Sequence, residues 1–177
     1  MACEKKLRKK AVLLLFACLP LLLCGCRVSV SLTGGNIDAR AKTVYIQTFR
    51  NNAALVNPTL SQEFTNALKD RIQSQTPLTI VDMKNLGDYA IEGQITGYSI
   101  GPVAIQGDET AAMNRLTITV SVSFTNKFDE TQNFEQSFSR YVDYPSTQVF
   151  TAIESSLVND INEALTEDIF NKAFVNW

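Results

Sequence analysis

Leu116-Thr117-Ile118-Thr119-Val120-Ser121-Val122-Ser123-Phe124-Thr125 alternates apolar with hydroxyl-bearing side chains through five consecutive pairs. Successive side chains of a strand point to opposite faces. This period therefore puts Leu116, Ile118, Val120, Val122 and Phe124 on a buried face and Thr117, Thr119, Ser121, Ser123 and Thr125 on the opposite one. The polar segment Lys127 to Asn133 predicts a hairpin loop, and Phe134 to Val142 the returning strand.

Upstream, Tyr89 to Ile100 sets Ile91, Gly93, Ile95 and Gly97 against Glu92, Gln94, Thr96 and Tyr98. It reads as a strand whose glycines mark a bulge or a closely overlying backbone. Lys42 to Phe49 is rich in β-branched and aromatic residues, and Leu78 to Val81 is a short apolar run, so both are predicted strands. Asn51-Asn52 is predicted as loop. At Asn57-Pro58 the asparagine suits a helix cap and the proline the first helical position, where its missing N–H costs nothing. Leu60, Phe64, Leu68 and Ile72 then recur at helical spacing, with Ala67 beside them, and the helix is expected to stop near Gln75, before Pro77. After Tyr144-Pro145, Ser146 or Thr147 can cap a last helix whose stripe is Ile153, Leu157, Ile161, Leu165, Ile169 and Ala173. At about 1.5 Å per residue such a helix is long enough to lie along the whole sheet. The expected fold class is α+β: a mainly antiparallel sheet of about four or five strands, with two helices packed on one face.

The N-terminus has a different character. Lys5, Lys6, Arg8, Lys9 and Lys10 precede an apolar run from Ala11 to Leu23, broken only by Pro20, which reads as a secretory signal over residues 1–25. The run falls short of the ~20 residues a membrane-spanning helix requires. It ends in Leu23-Cys24-Gly25-Cys26, which resembles the lipobox of bacterial lipoproteins. A thiolate is nucleophilic enough to accept a diacylglycerol group, so Cys26 is the expected lipid attachment point. Cys3, Cys18 and Cys24 leave with the signal, and the remaining cysteine can form no internal disulfide. Residues 26–41 are expected to be the lipidated tether to a membrane and 42–177 the folded domain. Arg27 follows the cysteine where an aspartate would resemble an inner-membrane retention signal, so the expected destination is the outer membrane.

From Cys26 onward the chain carries 11 Lys and Arg against 17 Asp and Glu, a formal charge of −6. A nucleic-acid partner does not fit that balance. The sequence has no histidine, and no Gly-rich phosphate loop occurs. Ser-His-Asp and Cys-His catalysis are therefore excluded, together with the commonest metal ligand. The nearest chemical constellation, Gly107-Asp108-Glu109-Thr110, reads as a solvated turn. The expectation is a protein that is not an enzyme and carries no cofactor or metal. Arg115 and Arg140 each flank a predicted strand, where a guanidinium can pair with a surface carboxylate or contact a partner or an anionic headgroup.

A longer pattern runs through Asn57-Pro58-Thr59-Leu60-Ser61, Ala67-Leu68-Lys69-Asp70, Glu92-Gly93 to Tyr98, Pro102 to Gly107, Asn114-Arg115-Leu116-Thr117-Ile118, Phe134 to Tyr141 and Glu167 to Trp177. It resembles the LptE family of lipopolysaccharide-assembly lipoproteins over most of the domain, about Lys42 to Trp177. The resemblance implies a periplasm-facing outer-membrane lipoprotein that plugs a large β-barrel, LptD, and helps deliver lipopolysaccharide to the cell surface. Some family members are thought to touch lipopolysaccharide through basic residues. The scarcity of lysine here favours barrel binding over direct lipopolysaccharide binding. The rival reading is an envelope ligand-binding or scaffold lipoprotein without a barrel partner.

Independently of the family, the strand face opposite the predicted core presents Thr117, Thr119, Ser121, Ser123 and Thr125 beside Gln94, Thr96, Tyr98, Ser137, Ser139 and Tyr141. A polar face with almost no charge is desolvated against a partner at lower cost than a charged one. Thr117, Thr119, Ser121 and Ser123, with Arg115 and Arg140, are the candidate partner contacts, together with the Gly101 to Asn114 loop.

Overall fold

A computed structural model describes residues 37–55, 57–103 and 112–175. The strands are β1 (Thr43–Ile46), β2 (Arg50–Asn51), β3 (Thr79–Val81), β4 (Tyr89–Val103), β5 (Met113–Asn126) and β6 (Phe134–Pro145), and the helices are α1 (Leu60–Gln75) and α2 (Phe150–Phe170). The order across the sheet is β3-β1-β4-β5-β6, with the short β2 also paired to β4. The α+β class is as expected, but among the described residues the sheet has six strands and is mixed.

β4, β5 and β6 form the expected antiparallel meander, while β1 pairs in parallel with both β3 and β4, and β2 in parallel with β4. The reason is connectivity. A strand followed by a helix returns to the starting end of the sheet, so β1-α1-β3 is a parallel crossover. Arg50, together with Asn51 of the predicted Asn51-Asn52 loop, adds the sixth strand by pairing with Gln94 and Ile95.

The polar turn at Asn57 follows the sequence, but α1 begins at Leu60, so Pro58 stands in the turn before the helix and not at its first position. Asn57 Oδ1 accepts the backbone N–H groups of Thr59 and Leu60, each at 3.0 Å, two donors that the first helical turn leaves free. Leu60, Phe64, Leu68 and Ile72 are fully buried. The second helix departs from expectation at its start. Pro145 to Gln148 form a turn, with the Ser146 N–H donated to the Ala112 carbonyl and the Gln148 N–H to the Pro145 carbonyl. The helix begins only at Phe150, after Val149, without a side-chain cap. It ends in a wider π turn over Asn171–Val175 that buries Ala173 and Phe174.

Leu116, Ile118, Val120 and Val122 of β5 are completely buried and Phe124 nearly so, as the alternation demands. Phe174 meets the rings of Tyr89 and Phe124 edge-on, with centroids 5.5 and 5.7 Å away. Residues 37–41, at the end of the expected tether, lie against the domain: the Asp38 N–H donates to the Tyr89 hydroxyl at 3.0 Å and Ile37 packs on the core. Among the described residues no helix is long and apolar enough to cross a membrane.

Candidate functional site

The face of the sheet that the helices leave uncovered is built by β4, β5 and β6. Cross-strand partners share a face, so the ladder arranges its side chains in rows: Gln94, Ser121 and Ser137; Gly97, Thr119 and Ser139; Ser99, Thr117 and Tyr141. Tyr141 is the one ionisable side chain in these three rows. Charge is confined to the ends, where one flanking row holds Glu92, Ser123 and Glu135 and the other Gly101, Arg115 and Asp143. Thr117, Thr119, Ser121 and Ser123 are all partly exposed and stand together, as the alternation predicted. The hydroxyls of Thr119 and Ser139 lie 3.0 Å apart.

Tyr98 does not belong to this face. The register slips between Ile95 and Gly97, where Thr96 is the extra residue of a bulge, and every later side chain of β4 changes face. Tyr98 is therefore buried among the core residues, where its hydroxyl donates to Glu154 of α2 at 2.6 Å. Burial, helped by that carboxylate, raises the Tyr98 pKa well above its ordinary value. Gly97 takes the outward place opposite Thr119, and a Cβ there would approach the Thr119 side chain to 3.2 Å. Gly93 is needed for a different reason, since a Cβ would come within 2.1 Å of the Ser121 carbonyl oxygen and 2.7 Å of the Phe49 ring.

The two arginines stand on opposite sides of the sheet. Arg115, in the open face, grips Asp143 with a two-pronged contact of 2.7 and 2.8 Å and lies 3.6 Å over the Tyr141 ring. The Arg115 hydrogen bonds hold the Asp143 carboxyl below its ordinary pKa, and the carboxylate in turn raises that of Arg115. Arg140 alternates with Phe138 on the helix side and forks onto Asp168 of α2, both contacts at 2.6 Å, which raises its pKa. Arg140 is thus not brought together with the hydroxyl rows.

The ladder runs on to the Val103 and Met113 pair, so the segment expected as a loop from Gly101 to Asn114 is strand at both ends. Its centre, with Gly107 to Thr110, lies outside the described residues, as does Cys26. Among the described residues no three His, Cys, Asp or Glu side chains gather as a metal site.

The family model of LptE, described as lipopolysaccharide-assembly, matches residues 41–173. The chain belongs to the LptE family. No curated protein matches its sequence. Among solved structures, a minor lipoprotein from Acinetobacter baumannii is similar at 13% identity and a TM-score of 0.50, over 75% of this chain and 91% of that one. The LptE-family domain shares that fold. A hypothetical protein from Chlamydia trachomatis is similar at 9% identity and TM-score 0.48, over 77% of this chain and 98% of that one. Rare lipoprotein B from Shewanella oneidensis is similar at 14% identity and TM-score 0.46, over 72% and 91%.

What sequence reasoning missed in this LptE-family domain is the polar contact between its layers. Glu154 Oε1 accepts both the Tyr98 hydroxyl and the Asn57 side-chain amide, the latter at 2.7 Å, and so joins β4, α2 and the cap of α1. The Gly97 signal pointed to the bulge, but the displaced residue could be placed only with the register known.

Proposed function

We propose that this LptE-family chain is an outer-membrane lipoprotein, anchored through Cys26 and facing the periplasm, that plugs an LptD-type β-barrel and helps assemble it for lipopolysaccharide transport to the cell surface. Residues 1–25 act as the signal peptide, 26–41 as the lipidated tether and 42–177 as the domain that enters the barrel. The observation that carries the reading is the uncovered β4-β5-β6 face, whose three central rows hold hydroxyl, amide and glycine positions with Tyr141 as their one ionisable group. Hydroxyls desolvate more cheaply than charges and can re-form hydrogen bonds with polar groups lining a lumen. Thr117, Thr119, Ser121 and Ser123 form the contact, with Arg115 at its edge. Arg140 contributes instead by holding α2 to β6 through Asp168. Both arginines are already forked onto carboxylates, so neither offers a bare cation to a lipopolysaccharide phosphate. This favours the barrel as the direct partner.

Extracted from membranes in mild detergent, the chain should elute with a large barrel that mass spectrometry identifies as LptD-like. Elution of the intact chain alone would overturn the plug and favour the envelope ligand-binding or scaffold reading. The anchor is checked separately. Cys26→Ser should accumulate as the longer, unlipidated precursor, and normal lipid labelling of that variant would rule out Cys26 as the attachment point.

A further inference from the structure

Helix α2 carries two buried stripes. Leu157, Ile161, Leu165 and Ile169 form one line, and Val158, Asn162, Thr166 and Phe170 a second one position further along, whose apolar ends Val158 and Phe170 join the same core. The second line turns toward α1, because Arg71 of α1 reaches Thr166. Asn162 in that line is only 2% exposed, and neither its Nδ2 nor its Oδ1 hydrogen-bonds to any described residue. Buried amides are nearly always paired, and leaving both atoms unmatched is unfavourable relative to an apolar side chain of the same shape. Asn162 also lines a recess of about 480 Å³ between the two helices, beside Glu63, Asp70, Arg71, Glu163 and Thr166.

The surroundings select the chemistry of what enters. Glu63, Asp70 and Glu163 place three carboxylates around the recess, against the single guanidinium of Arg71. That guanidinium is engaged with α2, donating from Nε to Thr166 Oγ1 at 3.1 Å and from an Nη to the Glu163 carbonyl at 3.3 Å. The site therefore attracts a cation. A bare amine would leave the Asn162 Nδ2 donor unmatched, since an ammonium only donates. A residue of an extended chain presents its own N–H and C=O on the same side, and so supplies an N–H for Oδ1 and a carbonyl for Nδ2 together. We propose that the α1-α2 groove docks an extended basic segment of a partner protein, with its Lys or Arg side chains against the carboxylates and the backbone N–H and C=O of one of its residues paired with Asn162. Both Asn162 amide atoms are closed to solvent in the free domain, so the segment reaches them only as the groove opens, with Arg71 releasing its 3.3 Å bond to the Glu163 carbonyl. The proposal stands apart from the hydroxyl face of the sheet and holds whether or not that face meets a barrel.

The test uses the mature full-length chain in detergent micelles and a fluorescein-labelled, glycine-spaced peptide carrying two lysines and one arginine, read by anisotropy. The wild type should bind this peptide, and the same peptide with glutamates in the basic positions should not bind. Asn162→Leu should weaken binding at least about tenfold, equivalent to about 1.4 kcal/mol, while its melting temperature holds or rises. Glu63→Gln with Asp70→Asn, on the rim of the groove, keeps the test open should the leucine variant fold poorly. This pair should also weaken binding about tenfold and flatten its dependence on salt. Failure of the wild type to bind, or unchanged binding by the folded variants, would overturn the proposal. Displacement of the peptide by an equal concentration of spermidine would overturn it as well, because an amine alone would then suffice.

Discussion

Val120→Asp should abolish the cooperative melt of the domain at neutral pH. Val120 is completely buried, between Ile95 of β4 and Phe138 of β6 in the ladder, and those neighbours offer no cation or hydrogen-bond donor from a side chain. An uncompensated buried charge costs about 3–5 kcal/mol, and the apolar contacts of the valine are lost in addition. Domains of this size are stable by only about 5–15 kcal/mol, so the sum consumes much or all of the margin. Circular dichroism on heating reads the result directly. A melt like that of wild type would mean that the face of β5 carrying Leu116, Ile118 and Val122 is not the packed one.

The second large effect separates folding from binding on the same strand. Thr119→Arg combined with Ser121→Glu should leave the isolated domain folded, because both side chains are partly exposed and such surface changes usually shift stability by within about 0.5 kcal/mol. Gly97 opposite Thr119 leaves room for the longer side chain. Inside a close-fitting lumen the new charges would be desolvated without arranged partners, which should weaken barrel binding at least tenfold at about 1.4 kcal/mol per decade. The variant should melt normally, fail to co-purify with the LptD-type barrel, and leave cells that depend on it permeable to large antibiotics. Recovery of the barrel in wild-type amounts would show that the hydroxyl rows are ordinary wetted surface, and would move the interface to the segment between β4 and β5 or to the helices.

The contrast between these variants rests on a feature that can be read in the linear sequence. A strict period of two over Leu116 to Thr125 leaves no other assignment of faces, and each predicted core residue of β5 is buried. The four-residue recurrence of Leu60, Phe64, Leu68 and Ile72 likewise marks the buried stripe of α1, and that of Leu157, Ile161, Leu165 and Ile169 marks one of the two buried lines of α2, while Ile153 at the start of the expected stripe is only partly buried. Asn57 caps α1 because capping is local chemistry, complete within a few residues. The absence of histidine, the lipobox-like run before Cys26 and the family strings are also properties of sequence alone.

What sequence could not supply are the relations between segments distant in the chain. Whether β1 runs parallel or antiparallel to β3 leaves no mark on a four-residue strand; it follows from the α1 crossover and the packing of that helix. The bulge at Thr96 adds one residue to a single strand and sends Tyr98 to the core side, so period counting continued through it assigns the wrong face. Arg115 and Arg140 look equivalent as residues beside strands, yet an odd separation in regular pairing puts them on opposite faces. Nothing in the sequence distinguishes Asn162 from the other polar residues of α2, and only the packing of α1 against α2 buries it. By itself the sequence determined which residues of the regular elements seek the interior, because side-chain periodicity is a local property of the backbone. Tertiary structure alone decided the strand directions, the face on which Tyr98 and Arg140 stand and the burial of Asn162, because each depends on register between segments that touch only in the folded state.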